Sequence, residues 1–221
     1  LKKIYKYRFE IFLVSQIVIL FGSLVIPASV FSLLSPFLFY LNILAGSLFI
    51  GNPKHGQLKV FAIVLLAIGG VFTIASIYPD IRSFIYLRVI VMFVFYVIVT
   101  YFIVKQIWEA EKVNKNVIFG LISGFISLGL IGFLLFISIE IIHPNSFSDS
   151  NVVNGMSINI TERLMYYSYI TLMTIGYGDI LPVTLIAQKA TILIGLLGQF
   201  YLVIITAVVV GKFVNQKQIV S

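Results

Sequence analysis

The chain has 221 residues, 60% of them hydrophobic and 10% charged, against about a quarter charged in an ordinary soluble domain; that apolar surplus exceeds what one water-facing core can hide. The formal net charge of +7 would point to nucleic acid if the bases shared a soluble face, but they fall in short segments between apolar runs, so no nucleic-acid partner is expected. The absence of cysteine excludes disulfides, thiol catalysis and cysteine metal sites.

A bilayer core about 30 Å thick takes roughly 20 apolar residues in a helix rising about 1.5 Å per residue. Six runs meet or approach that length: 9–26, 33–50, 58–78, 83–104, 117–142 and 184–213. Lys2, Lys3, Lys6 and Arg8 stand before the first run as they would in a signal peptide, but the runs that follow make it a membrane helix. If the six helices alternate, these bases share one side with Lys54, Lys59, Lys105, Lys112, Lys115, Lys212 and Lys217. The other side carries chiefly Arg82, Arg163 and Lys189. That asymmetry predicts a multi-pass protein of the cell membrane with both termini cytoplasmic. His55 and His143 lie in loops and are read as solvated.

The fourth run holds Arg88, an intramembrane charge that invites a functional role; the plainer account is snorkelling to the outer interface or bonding to helix carbonyls. Residues 105–116, Lys-Gln-Ile-Trp-Glu-Ala-Glu-Lys-Val-Asn-Lys-Asn, form the most polar stretch between two runs. Ile107, Trp108 and Val113 can share one side of a helix with the charges opposite. This predicts an interfacial linker helix between a four-helix domain at 1–104 and a second module at 117–221.

Between the last two runs, 143–159 is rich in Ser, Asn, Asp and Pro and reads as an exposed loop. Asn159-Ile160-Thr161 fits a glycosylation acceptor and also the start of a helix. Residues 161–173, Thr-Glu-Arg-Leu-Met-Tyr-Tyr-Ser-Tyr-Ile-Thr-Leu-Met, predict a short helix with Asn159 or Thr161 as cap and Glu162 near its positive end. At about 20 Å it cannot cross the bilayer, so it enters and turns back. Thr174-Ile175-Gly176-Tyr177-Gly178-Asp179 follow at once. Non-helical backbone survives at membrane depth only inside protein or beside a water-filled path. Glycines at alternate positions free the backbone to point successive carbonyls one way, where oxygens gathered from several subunits can replace the water around an ion.

These residues resemble the potassium channel family, whose signature is a Thr-Val/Ile-Gly-Tyr-Gly filter between a pore helix and an inner helix; the resemblance covers 117–213. It implies an all-α membrane protein: six transmembrane helices, a re-entrant pore helix and a selectivity filter in a homotetrameric pore within the lipid bilayer. Residues 117–221 would then be the pore domain. It also implies that Thr174, Ile175, Gly176 and Tyr177 present carbonyls to K+, with the Thr174 hydroxyl completing the innermost site and Gly178 closing the outer end. Tyr166 and Tyr167 stand in the place of the family's aromatic pair, and with Thr171 and Asp179 they are implied to support the filter. Gly198, twenty residues after Gly178, falls at the family's hinge glycine. Gly195 competes for that role, and both glycines can instead permit close helix packing. Thr206 and Ala207 resemble cavity-lining positions. No cofactor is implied beyond the permeant K+.

Two departures stand out. Ile170 replaces a glutamate that bonds the aspartate behind the filter in several relatives, leaving Asp179 to pair with Tyr166 or Tyr169. Met173 replaces a commoner threonine, with no consequence expected for selectivity. A voltage sensor needs several bases in the fourth span, each worth about 2.3 kcal/mol per 100 mV. Only Arg82 and Arg88 are present there, about 9 Å apart along a helix, so voltage dependence is expected to be weak or absent. A non-selective cation channel or a potassium transporter subunit is the alternative. A membrane enzyme would need clustered acids, histidines or a nucleophile, and Glu140 makes no such cluster.

Overall fold

The computed structural model describes residues 6–50, 64, 67, 70, 83–149 and 160–218. The third expected run, at 58–78, lies outside them except for Val64, Ala67 and Gly70, as do Lys54, His55, Lys59, Arg82 and Asn159. The helices are α1 (Arg8–Phe21), α2 (Ala28–Ile50), α3 (Ser83–Glu109), α4 (Lys115–Ile142), α5 (Ile160–Leu172), α6 (Leu185–Phe200) and α7 (Thr206–Gln218). A π-helical segment, Tyr201–Ile205, joins α6 to α7. Two short strands, β1 (Phe147–Asp149) and β2 (Ile180–Pro182), pair antiparallel, which the all-helical expectation did not include.

Leu, Ile, Val and Phe dominate α1–α4 and α6, and a chain that must satisfy its own amides in an apolar medium does so as helix. Among the described residues, three stretches are long and apolar enough to cross a membrane: Leu87–Glu109, Lys115–Ile142 and Leu185–Gln216. α1 is shorter than its apolar run. It gives way to a 3-10 turn at Gly22–Leu24 before Pro27, whose carbonyl accepts from Val30 and Phe31 N–H to open α2.

The chain forms two compact units, one comprising Leu1–Gly124 with Val209–Ser221 and the other Phe125–Val208. In the first, the linker helix expected over 105–116 does not form. α3 runs on to Glu109, residues 110–114 are non-helical, and α4 starts at Lys115. Both ends of the break are capped. The Asn114 side-chain oxygen accepts from Asn116 and Val117 N–H at 3.0 and 3.2 Å, and such a cap fixes a helix start. At the other end the Lys212 ammonium donates to the carbonyls of Ile107 (3.4 Å), Trp108 and Ala110 (2.9 Å), satisfying carbonyls a helix C-terminus leaves open. Gln216 accepts from Val113 N–H at 2.9 Å. Ile107 is buried while Trp108 is exposed, so the shared apolar side expected of them is absent.

The core of this unit packs Phe9, Phe12, Ile43, Phe95, Val99 and Ile103 around neutral polar groups. Tyr96 donates to Asn42 Oδ1 at 2.5 Å, and Asn42 Nδ2 donates to Ser15 Oγ at 2.7 Å, tying α3, α2 and α1 together. Gln16 Nε2 donates to the Ser123 carbonyl of α4 at 3.2 Å. The Lys115–Glu10 ion pair, at 3.3 Å with the lysine side chain 66% exposed, contributes little by comparison. Arg88 on α3 is half-buried. Asn42→Leu should therefore destabilise the protein by about 1–3 kcal/mol, because it strands the buried Tyr96 hydroxyl, and Tyr96→Phe should cost less. Thermal unfolding of both variants in detergent, with the double variant recovering part of the loss, checks this.

Candidate functional site

The site is built from the end of α5. Thirteen residues long, with Glu162 in its first turn, α5 spans about 20 Å. Its C-terminus closes in a Schellman arrangement: Ile175 N–H donates to the Ile170 carbonyl at 2.9 Å and Thr174 N–H to the Thr171 carbonyl at 3.0 Å. That turn needs a left-handed residue, usually glycine. Here it is Thr174, at φ 57°, a strained conformation for a β-branched side chain. The Thr174 hydroxyl donates to the Met173 carbonyl at 2.7 Å, and Gly176 N–H also reaches the Ile170 carbonyl, at 3.4 Å.

The left-handed conformation then recurs at every second residue, with Gly176 at φ 56° and Gly178 at φ 79°, and no positive φ at Ile175 or Tyr177 between them. In an extended strand successive carbonyls point to opposite sides. Left-handed residues at alternate positions break that pattern and can turn successive carbonyls to one side, as in rings of backbone carbonyls that bind ions. The amides of Thr174, Ile175 and Gly176 are held by the helix end, so the carbonyls are what this segment offers. The negative end of α5 lies beside them and favours a cation. A Cβ on Gly176 or Gly178 would meet nothing within 4 Å, so backbone conformation and not space demands glycine. All of 174–178 is exposed in the single chain.

The predicted supporting residues come together around this segment. Tyr166 lies close enough to Asp179 to interact with its carboxylate. The Tyr169 hydroxyl donates to the Ile126 carbonyl of α4 at 2.7 Å. Tyr167 is hydrogen-bonded at 3.0 Å to Thr191 of α6. Its ring packs on Phe136 and Phe147 with centroids 5.1 and 5.4 Å away. Ser168, fully buried, donates to the Gly129 carbonyl at 2.7 Å.

Downstream of the segment, Asp179 leads into β2, whose Ile180 pairs with Asp149 of β1. Glu140 holds the turn before β1, its carboxylate accepting from Asn145, Ser146 and Phe147 N–H at 2.8, 3.0 and 3.2 Å. Val183 N–H donates to the Ser146 carbonyl at 2.8 Å, and Thr184 caps α6 through Ala187 N–H at 3.4 Å. Sequence reasoning missed Ser168, Thr191 and the structural work of Glu140. A glutamate five to seven residues before a Ser/Asn/Pro turn was the available signal for the last of these.

Gly198 is pressed against the end of α5. A Cβ there would lie 2.1 Å from the Leu172 carbonyl oxygen, so this glycine seats one helix on the backbone of another. Gly195 has nothing within 4 Å of such an atom. The helix departs from α geometry just beyond, at Tyr201–Ile205, where Tyr201 N–H reaches both the Gly198 and Leu197 carbonyls. Of the expected cavity residues, Thr206 is half-buried and Ala207 exposed.

Residues 125–215 match a family model described as an ion channel. No curated protein and no solved structure matches the chain. With helices of membrane-spanning length and composition, the match supports an ion channel embedded in a membrane.

Because the Gly198 seat faces backbone that cannot swing away, Gly198→Ala should destabilise by about 1–3 kcal/mol. Gly195→Ala should be neutral or stabilising by up to about 1 kcal/mol, the helix-propensity difference. Thermal unfolding of the two variants side by side distinguishes the positions.

Proposed function

We propose that four copies of this chain surround one axis and conduct potassium ions passively down their electrochemical gradient. The observation that carries this reading is the alternation of left-handed backbone at Thr174, Gly176 and Gly178 within Thr-Ile-Gly-Tyr-Gly. The carbonyls of Thr174, Ile175, Gly176 and Tyr177 are the ion ligands, the Thr174 hydroxyl completes the innermost site, and Gly178 closes the outer end. One copy leaves this row exposed on one side; a ring of copies replaces an ion's hydration shell from all sides.

The same reading gives α5 the role of a re-entrant pore helix and α4 and α6–α7 the roles of outer and inner helices. Exposed apolar residues on α6 and the π segment, among them Leu193, Leu196, Phe200 and Val203, suit contact with neighbouring copies. The chain crosses the cell membrane six times with both termini in the cytoplasm, and it needs no cofactor. Gly198 and Gly195 remain the positions about which the inner helix would bend, and Thr206 and Ala207 line the cavity below the filter.

Voltage dependence is weak or absent. Within the described part of α3, Arg88 is followed by no base until Lys105, and the groups tying α1, α2 and α3 together are the neutral Tyr96, Asn42 and Ser15. Moving one charge through the full field supplies only about 2.3 kcal/mol per 100 mV.

Purified protein in liposomes should pass potassium far faster than sodium, with little change across a range of voltages. Gly176→Ala should assemble and yet lose at least about 90% of the flux, since an L-residue at that φ costs roughly 1–2 kcal/mol in each copy. Equal sodium and potassium fluxes, or an assembled Gly176→Ala protein that conducts and discriminates normally, would overturn the proposal.

A further inference from the structure

The last turn of α5 carries the carbonyl on which two amides of the segment hang: Ile170 accepts from both Ile175 and Gly176 N–H. Whatever fixes that turn fixes the start of the segment. The Ile170 side chain is buried and apolar and supplies no hydrogen bond. The two residues before it do. Ser168 Oγ donates to Gly129 O and Tyr169 Oη to Ile126 O, each at 2.7 Å, and both acceptors lie on α4. A helix carbonyl keeps a second lone pair after its own i+4 bond, so these hydroxyls bond α4 without breaking it.

α4 is notched to receive them. A Cβ on Gly129 would lie 2.1 Å from the Tyr169 ring, and one on Gly132 would lie 2.4 Å from Ser168 Oγ. Residues three apart share a helix face, so the two glycines make one recess. The Tyr169 ring sits against Gly129, and its hydroxyl reaches a carbonyl three residues earlier in the chain.

We propose that Tyr169 is a positioning residue for the 174–178 carbonyl row, acting through its hydroxyl on Ile126 to hold the Ile170 carbonyl in place, with Ser168 as its neighbour in the same anchor. The row is thereby braced laterally from α4. Beyond its far end, Asp179 lies within reach of Tyr166. This rests on the potassium-channel reading, under which a loosened row shows itself when the permeant ion is withdrawn.

The test follows potassium flux from liposomes through a period in which sodium replaces potassium, for the wild-type full-length chain and for Tyr169→Phe, with oligomeric assembly and thermal unfolding measured on the same preparations. The phenylalanine keeps the ring in its recess and removes the hydroxyl. Potassium flux should then be lost at least roughly threefold faster, the effect of one interhelical hydrogen bond in a membrane protein, with assembly unchanged. A second variant, Gly129→Ala with Tyr169→Val, refills the recess without an anchor. It should assemble and still lose flux rapidly, whereas a space-filling role would return it to the wild-type rate. An unchanged rate in Tyr169→Phe, or wild-type behaviour in the double variant, overturns this inference and leaves the channel reading standing. A wild-type protein with no potassium-selective flux overturns both.

Discussion

Unpaired amides and carbonyls at membrane depth cost several kcal/mol each, and the bonding that follows Leu172 answers this unevenly. The amides of Thr174, Ile175 and Gly176 are taken up by the end of α5, while the carbonyls of 174–177 stay outside that bonding. A segment in that state is stable only if something polar meets its oxygens. Under the proposed function that partner is a dehydrating cation on an axis shared by several copies. The left-handed Thr174 lies at the centre of the arrangement, since it both ends the helix and begins the alternation. Strain at that residue is tolerated because two hydrogen bonds of the Schellman turn depend on it.

The rest of the Phe125–Val208 unit keeps that turn from moving. Tyr167 bonds α6, and Ser168 and Tyr169 bond α4. Close approach makes those short bonds possible, and it needs glycine at 129, 132 and 198, where a Cβ would overlap a ring, a hydroxyl or a backbone carbonyl. Small residues at helix contacts serve the same end throughout membrane proteins. Beyond the segment, Glu140 replaces a hairpin's worth of backbone pairing with one carboxylate and so steadies β1 against β2. The other unit solves a related problem with amide and phenol groups in place of charges, through Tyr96, Asn42, Ser15 and Gln16.

Much of this was legible in residue order. The apolar runs of α2, α3, α4 and α6–α7 lie close to where hydropathy put them, because backbone in lipid has few alternatives to helix. The short helix before Thr174 was evident from its length, although Asn159, one of its two expected caps, lies outside the described residues and Thr161, the other, lies within the helix. Helix ends were less so. Nothing in Ile107, Trp108 or Val113 shows that Lys212, more than 100 positions away, will take the carbonyls at the end of α3. The polar stretch at 105–116 therefore read as one helix instead of a helix end, a break and a cap. β1 was hidden for a similar reason: three residues in a polar loop pair only because β2 is brought opposite them.

By itself the sequence determined a membrane-embedded helical chain, and it located one short non-helical stretch whose alternate glycines suit a row of carbonyls. Those are matters of composition, spacing and local conformation, which neighbouring residues settle among themselves. Which hydroxyl holds which carbonyl was decided only by the tertiary structure. It set the Tyr169 hydroxyl on the Ile126 carbonyl, Ser168 on the Gly129 carbonyl and Gly198 against the Leu172 carbonyl. A hydrogen bond or a glycine contact between helices depends on their rotation and separation to within an ångström, and those are set by packing across the whole unit.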